Sequence, residues 1–98
     1  MTYLLIRHEV NDFDHWKTAY DNHKSARDEA DLREVYLLQN RYNHNEVVIL
    51  FEAKNEHKAQ DFIESEDLKE AMKGAGMVGT PEIRMLDQVH AQLFSKNS

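Results

Sequence analysis

Val47-Val48-Ile49-Leu50-Phe51 is an unbroken apolar run, rich in β-branched residues, held between Glu46 and Glu52. Successive side chains of a strand leave opposite faces, so a run of this kind reads as a strand covered on both sides. Val35-Tyr36-Leu37-Leu38 has the same character. Leaving several such side chains in water would forfeit about 1.5–3 kcal/mol each. Whatever this chain folds into must therefore supply two covers for one sheet.

Only part of that cover can come from the chain itself. Tyr3 to Val10 alternates Leu4, Ile6, His8 and Val10 against Tyr3, Leu5, Arg7 and Glu9, which is strand periodicity. Asp12 offers an N-cap, and Phe13, Trp16, Tyr20 and His23 follow at helical spacing, predicting an amphipathic helix over 13–29. Leu32 to Arg41 and Glu46 to Ala53 read as strands of a hairpin, with Asn43-His44-Asn45 as its turn chemistry. Asn55 caps a second helical segment bearing Ala59, Phe62 and Ile63. Ser65 is a fresh cap within it, predicting a kink or two consecutive helices. A last strand over 82–93 carries Ile83, Met85, Val89, Ala91 and Leu93 on one face, and 95–98 reads as a frayed tail.

The order βαββαβ predicts an α+β domain over 1–98: a ferredoxin-like, four-stranded antiparallel sheet with its helices on one face. Two helical segments cover that face, and nothing else in the chain covers the other. The economical cover is a second copy, so the expectation is an obligate homodimer joined sheet against sheet.

Composition closes off several functions. With 18 acidic and 12 basic side chains the formal net charge is −6. The chain has no basic stripe to attract a phosphate backbone, so nucleic acid is not an expected partner. The absence of cysteine rules out disulfides, thiolate nucleophiles and thiolate-ligated metals. Met1 to Ile6 meets Arg7 and His8 too soon for a signal-peptide core, and no apolar stretch approaches a membrane span. A cytoplasmic protein without membrane partners is the expectation.

All three glycines and the single proline fall in KGAGMVGTPEIRML, residues 73–86, and 74–79 spells G-x-G-x-x-G. In a dinucleotide site those glycines lead from a strand into a helix whose free N–H groups meet the pyrophosphate. Here they lead out of a helix and into a strand, so phosphate would meet the negative end of the helix dipole. The run reads instead as a helix stop, with Gly74 or Gly76 left-handed, and Pro81 holding Thr80 extended.

Among six histidines, His15 and His23 lie too far apart for a metal-binding helix face, and His44, His57 and His90 fall on turn or polar positions. Only His8 stands on an apolar row, where it reads either as a satisfied core or interface residue or, among these histidines, as the candidate general base or ligand contact. The Phe13, Trp16, Tyr20 stripe reads by default as core packing; alternatively Trp16, Tyr20 and His23, joined by Tyr36 of the second strand, are the candidate walls of a substrate cleft between helix and sheet. Arg7 and Arg84 are further cations, with carboxylates available to pair them. The residues call for no metal and no bound cofactor.

The helix start FDHWKTAYDNH, the stretch NEVVILFEAKNEHKAQDFIESEDLKEAMKGAGMVGTPEIRML and the strand order together resemble the antibiotic biosynthesis monooxygenase-like superfamily over residues 3 to about 90. The resemblance implies a dimeric α+β barrel with a ligand pocket between the helices and sheet of each subunit. The superfamily spans cofactor-independent monooxygenases of aromatic polyketides, lactone isomerases, haem-degrading enzymes and stress proteins. Haem-degrading members use an Asn, Trp and His set with Asn on the first strand. That set does not carry over, because His8 lies on the first strand here and the only tryptophan is Trp16. What is implied is a homodimer that binds a small organic, aromatic-type substrate and oxidises, isomerises or cyclises it without a cofactor. A non-catalytic dimeric binding or stress-response protein is the alternative.

Overall fold

The Val47–Phe51 run forms the middle of strand β3 (Asn43–Ala53), which has a hydrogen-bonded strand on each side. The computed structural model describes residues 1–92. In chain order its elements are β1 (Thr2–Val10), α1 (Phe13–Asn22), α2 (Lys24–Glu29), β2 (Leu32–Asn40), β3, α3 (Glu56–Glu64), α4 (Glu66–Gly74) and β4 (Met77–Asp87). The strands form one antiparallel sheet in the order β2-β3-β1-β4, as the α+β ferredoxin-like reading expects.

β1 and β3, the two central strands, are paired in unbroken register from Thr2 opposite Ala53 to Glu9 opposite Glu46. Strand alternation then sends Leu4, Ile6, His8 and Val10 to one face with Val47, Ile49, Phe51 and Ala53, and all eight are buried. The helices lay Trp16, Tyr20, Ala59, Leu68 and Met72 onto this face. The other face carries Leu5, Val48 and Leu50, only partly buried, beside the exposed Tyr36, Leu38 and Leu86. Around them lie the ion pairs Arg7–Glu46, Arg33–Glu52 and Arg84–Glu82. Among the described residues no helix is long and apolar enough to cross a membrane.

Capping follows the sequence closely. The side chains of Asp12, Asn55 and Ser65 each accept from a backbone N–H in the first turn of α1, α3 and α4 respectively. Ser65 is extended, with φ −71 and ψ 144, so it ends α3 and starts α4 as two separate helices. Three boundaries depart from expectation. The helix predicted over 13–29 breaks at His23, whose ψ of 11 leaves the helical range, giving α1 and α2. The β2–β3 turn is Arg41-Tyr42, while Asn43 and Asn45 belong to β3; the Asn40 carboxamide oxygen stabilises the turn by accepting from the Tyr42 N–H. The last strand begins at Met77 and ends at Asp87, so Val89 and Ala91 lie past it and are exposed. Leu93 and the predicted tail lie outside the described residues.

The glycine segment is a structural corner. α4 ends at Gly74, Ala75 is its C-cap, and Gly76 takes φ +88 before β4 begins. The Gly76 carbonyl accepts from the Asn11 N–H at 2.9 Å, which ties the corner to the end of β1. A Cβ at Gly76 would lie 2.3 Å from Asn11 Oδ1, on a backbone that L-residues rarely adopt. Gly76→Ala is therefore expected to cost about 1–2 kcal/mol from the left-handed backbone alone, with the Asn11 side chain displaced. Gly74→Ala, where a Cβ meets nothing within 4 Å, is expected to be neutral or to stabilise by up to about 1 kcal/mol. Thermal melts of the two variants check this; equal melting temperatures would contradict it.

Candidate functional site

His8 owes its position to β1 alternation, which turns it inward between Ile6 and Val10. It is 3% exposed, and neither ring nitrogen has a hydrogen-bond partner among the described residues. A histidine that served only to fill the core would normally have at least one nitrogen satisfied, since an unpaired buried polar group costs about 1–3 kcal/mol. Its nearest aromatic neighbour is Trp16, edge-on at 5.5 Å and 85°. Burial lowers the His8 pKa below its ordinary 6.5, so the ring is neutral near pH 7.

Opposite β1 the helices build an aromatic stack. Phe13 lies 5.7 Å from Trp16, and Trp16 stacks on Tyr20 at 4.8 Å and 22°. The Tyr20 hydroxyl donates to Glu34 Oε1 at 2.8 Å. Burial, followed by that bond to a carboxylate, raises the Tyr20 pKa above its usual value and keeps the phenol protonated. The guanidinium of Arg27 lies 3.7 Å from the Tyr20 ring centroid, and its Nη1 donates to the Tyr20 carbonyl at 2.7 Å.

Between these two walls is a cavity of about 50 Å³. Ile6 and His8 of β1, Trp16 and Tyr20 of α1, Arg27 of α2 and Met72 of α4 are among its lining residues. His23, at the α1–α2 break, also lines it, with its ring 6.3 Å from that of Phe62. His23, Phe62 and Leu68 form a partition, since they also border an outer cleft of about 360 Å³ between α2 and the α3–α4 pair.

Four of the five candidate site residues thus meet at one cavity: His8, Trp16, Tyr20 and His23. Tyr36 does not join them. A bulge between Glu34 and Tyr36 sets Glu34 opposite Phe51 but Tyr36 opposite Leu50, so Tyr36 turns to the outer face and is 54% exposed. Simple alternation would have kept Glu34 and Tyr36 together. Arg7 and Arg84 pair with carboxylates on the outer face. The cavity's cation is instead Arg27, whose signal was its place at the end of the spacing 13, 16, 20, 23, 27 along the stripe. Across the cavity from the helices, the β1–β4 register slips at His8: Arg7 pairs with Glu82 but Glu9 with Val78, and Gly79 (φ 74) to Pro81 bow out. Among the described residues no group of three or more His, Asp or Glu side chains is placed to hold a metal.

The depressed His8 pKa fixes the sign of a pH effect. The unfolded chain takes up the proton first as pH falls through about 6.5, so stability should drop there, by at most about 1.4 kcal/mol per pH unit. His8→Phe keeps a ring and removes the titration, and should flatten this slope. Glu46, whose pKa is lowered by its hydrogen bonds from Asn40 and Arg7, loses its contribution only at more acid pH, below 4.5. Thermal melts of both proteins between about pH 7 and 5.5 check the difference; parallel curves would contradict it.

No family model matches the chain, and no curated protein matches it in sequence. Solved structures do match. An assigned antibiotic biosynthesis monooxygenase from Bordetella bronchiseptica superposes with a TM-score of 0.74 at 14% identity, covering 91% of this chain and 97% of that one. SnoaB, a cofactor-independent oxygenase from Streptomyces nogalater, gives 0.73 at 12% identity over 92% and 94%. An assigned antibiotic biosynthesis monooxygenase from Nitrosomonas europaea gives 0.68 at 15% identity over 92% and 100%. The chain has the fold of the antibiotic biosynthesis monooxygenase-like proteins.

Proposed function

We propose that the helix–sheet cavity binds a small, largely apolar organic molecule and that His8 removes a proton from it. The observation that carries this reading is the neutral, buried imidazole with both nitrogens unpartnered among the described residues, facing a cavity walled by Trp16 and Tyr20. A neutral histidine in reach of a C–H or O–H acid is a competent general base, a role worth about 10²–10⁴-fold in rate. Proton transfer leaves an imidazolium and a substrate carbanion or enolate. Reprotonation at a second carbon gives an isomer. With dioxygen as oxidant, an activated methylene becomes a carbonyl, one oxygen atom entering the product and the other leaving as water. SnoaB, of like fold, is a cofactor-independent oxygenase, which supports placing such chemistry in this fold.

The same proposal includes a homodimer. Tyr36, Leu38 and Leu86 are 54%, 50% and 42% exposed on one sheet face, where a second copy would remove them from water. The lack of cysteine agrees with residence in the cytoplasm. A non-catalytic binding protein is the second reading, favoured by the close Trp16–Tyr20 stack and by a cavity of only about 50 Å³.

Oxygen uptake and product analysis across a panel of phenolic and 1,3-dicarbonyl compounds test the first reading. An active compound is expected, with His8→Gln slowing its turnover at least about 100-fold while leaving its binding intact. Undiminished turnover in that variant would remove His8 as the base. Binding without turnover of any compound would favour the second reading.

A further inference from the structure

Arg27 is 8% exposed, yet no carboxylate lies within ion-pairing distance of it among the described residues. Buried arginines are ordinarily paired, because an isolated charge taken out of water is costly. The one hydrogen bond its guanidinium makes among the described residues is from Nη1 to the Tyr20 carbonyl. The Glu34 carboxylate accepts from the Tyr20 hydroxyl. Stacking on Tyr20 stabilises the cation but consumes none of its N–H donors. A planar fork with donors to spare, not sealed from solvent as the His8 nitrogens are, thus borders an apolar cavity.

We propose that Arg27 is an anion-binding residue of this cavity and that its ligands are organic monoanions: an apolar body carrying one carboxylate or ionised enol oxygen. The proposal rests on the reading that the cavity binds a small molecule, and adds the chemical class. A guanidinium binds a carboxylate through two parallel hydrogen bonds, and in a water-poor site each is stronger than a neutral bond. His8, held neutral by burial, and the apolar side chains of Phe62 and Leu68 present no competing anion among the lining residues. The outer cleft carries Glu29, Asp61 and Asp67 against Lys58, so selection for the anion comes from Arg27 inside and not from attraction at the mouth.

Benzoate and benzyl alcohol, nearly equal in shape, separate the charge from the body. Titration calorimetry on the full chain is expected to show benzoate binding at least about tenfold more tightly, the worth of one charged hydrogen bond. The Arg27 Nε–H resonance should shift with benzoate in the unmodified protein, which requires no variant to fold. Arg27→Gln should erase the preference, and Arg27→Lys should keep part of it. Equal binding of the two probes, or benzoate binding that leaves the Arg27 resonance and the Arg27→Gln affinity unmoved, would overturn the anion site while leaving a binding cavity in place. Binding of neither probe up to about 10 mM would overturn the anion site and count against the cavity reading as well.

Discussion

Pairing of β1 with β3 at the centre of the sheet is the interaction on which the rest depends. Both strands bury an inner row completely, and both present apolar residues outward as well. A sheet so made cannot be stable with one helical layer as its only protection at no further cost, because each large side chain left in water forgoes about 1.5–3 kcal/mol. The helices resolve the inner face. The outer face sets ion pairs around an apolar centre of Leu5, Tyr36, Leu38, Val48, Leu50 and Leu86.

Within that inner layer the close packing is relaxed beside His8. Leu4, Val47 and Phe51 are sealed, whereas His8, two strand positions beyond Ile6, is left with both nitrogens bare and a void above it. Three irregularities converge there: the α1–α2 break at His23, the β4 bow through Gly79, and a buried cation on the Tyr20 ring. Unsatisfied polar groups and backbone irregularities lower stability, and they persist where the surrounding core over-determines them. Here the surrounding core is the Trp16–Tyr20 stack and the β1–β3 pairing beneath it.

Sequence patterning revealed the architecture and only part of the site. Period-two alternation in β1 put His8 among the inward residues, and the 13, 16, 20, 23 stripe found its aromatic wall, because both follow from local geometry. Tyr36 was misplaced because a bulge adds one residue to β2, and alternation carries no sign of a bulge. The hairpin turn slipped from Asn43–Asn45 to Arg41-Tyr42 because strand pairing continues through Asn43, while Asn40 supplies the capping carbonyl. Arg27 carries little local signal, because Asp28 and Glu29 beside it give the segment a solvated character; only the three-dimensional path shows its guanidinium on Tyr20. Element order alone reads the 74–79 glycines as a helix stop, and the left-handed Gly76 after α4 agrees with that reading.

Because every later step rests on how a two-faced sheet is covered, the decisive measurement is the mass of the folded protein in solution. Sedimentation equilibrium at about 10 µM, with circular dichroism on the same sample, is expected to return twice the 11.5 kDa chain mass. A cooperatively folded species of single-chain mass at that concentration would contradict the account, since the outer face would then be stable in water uncovered.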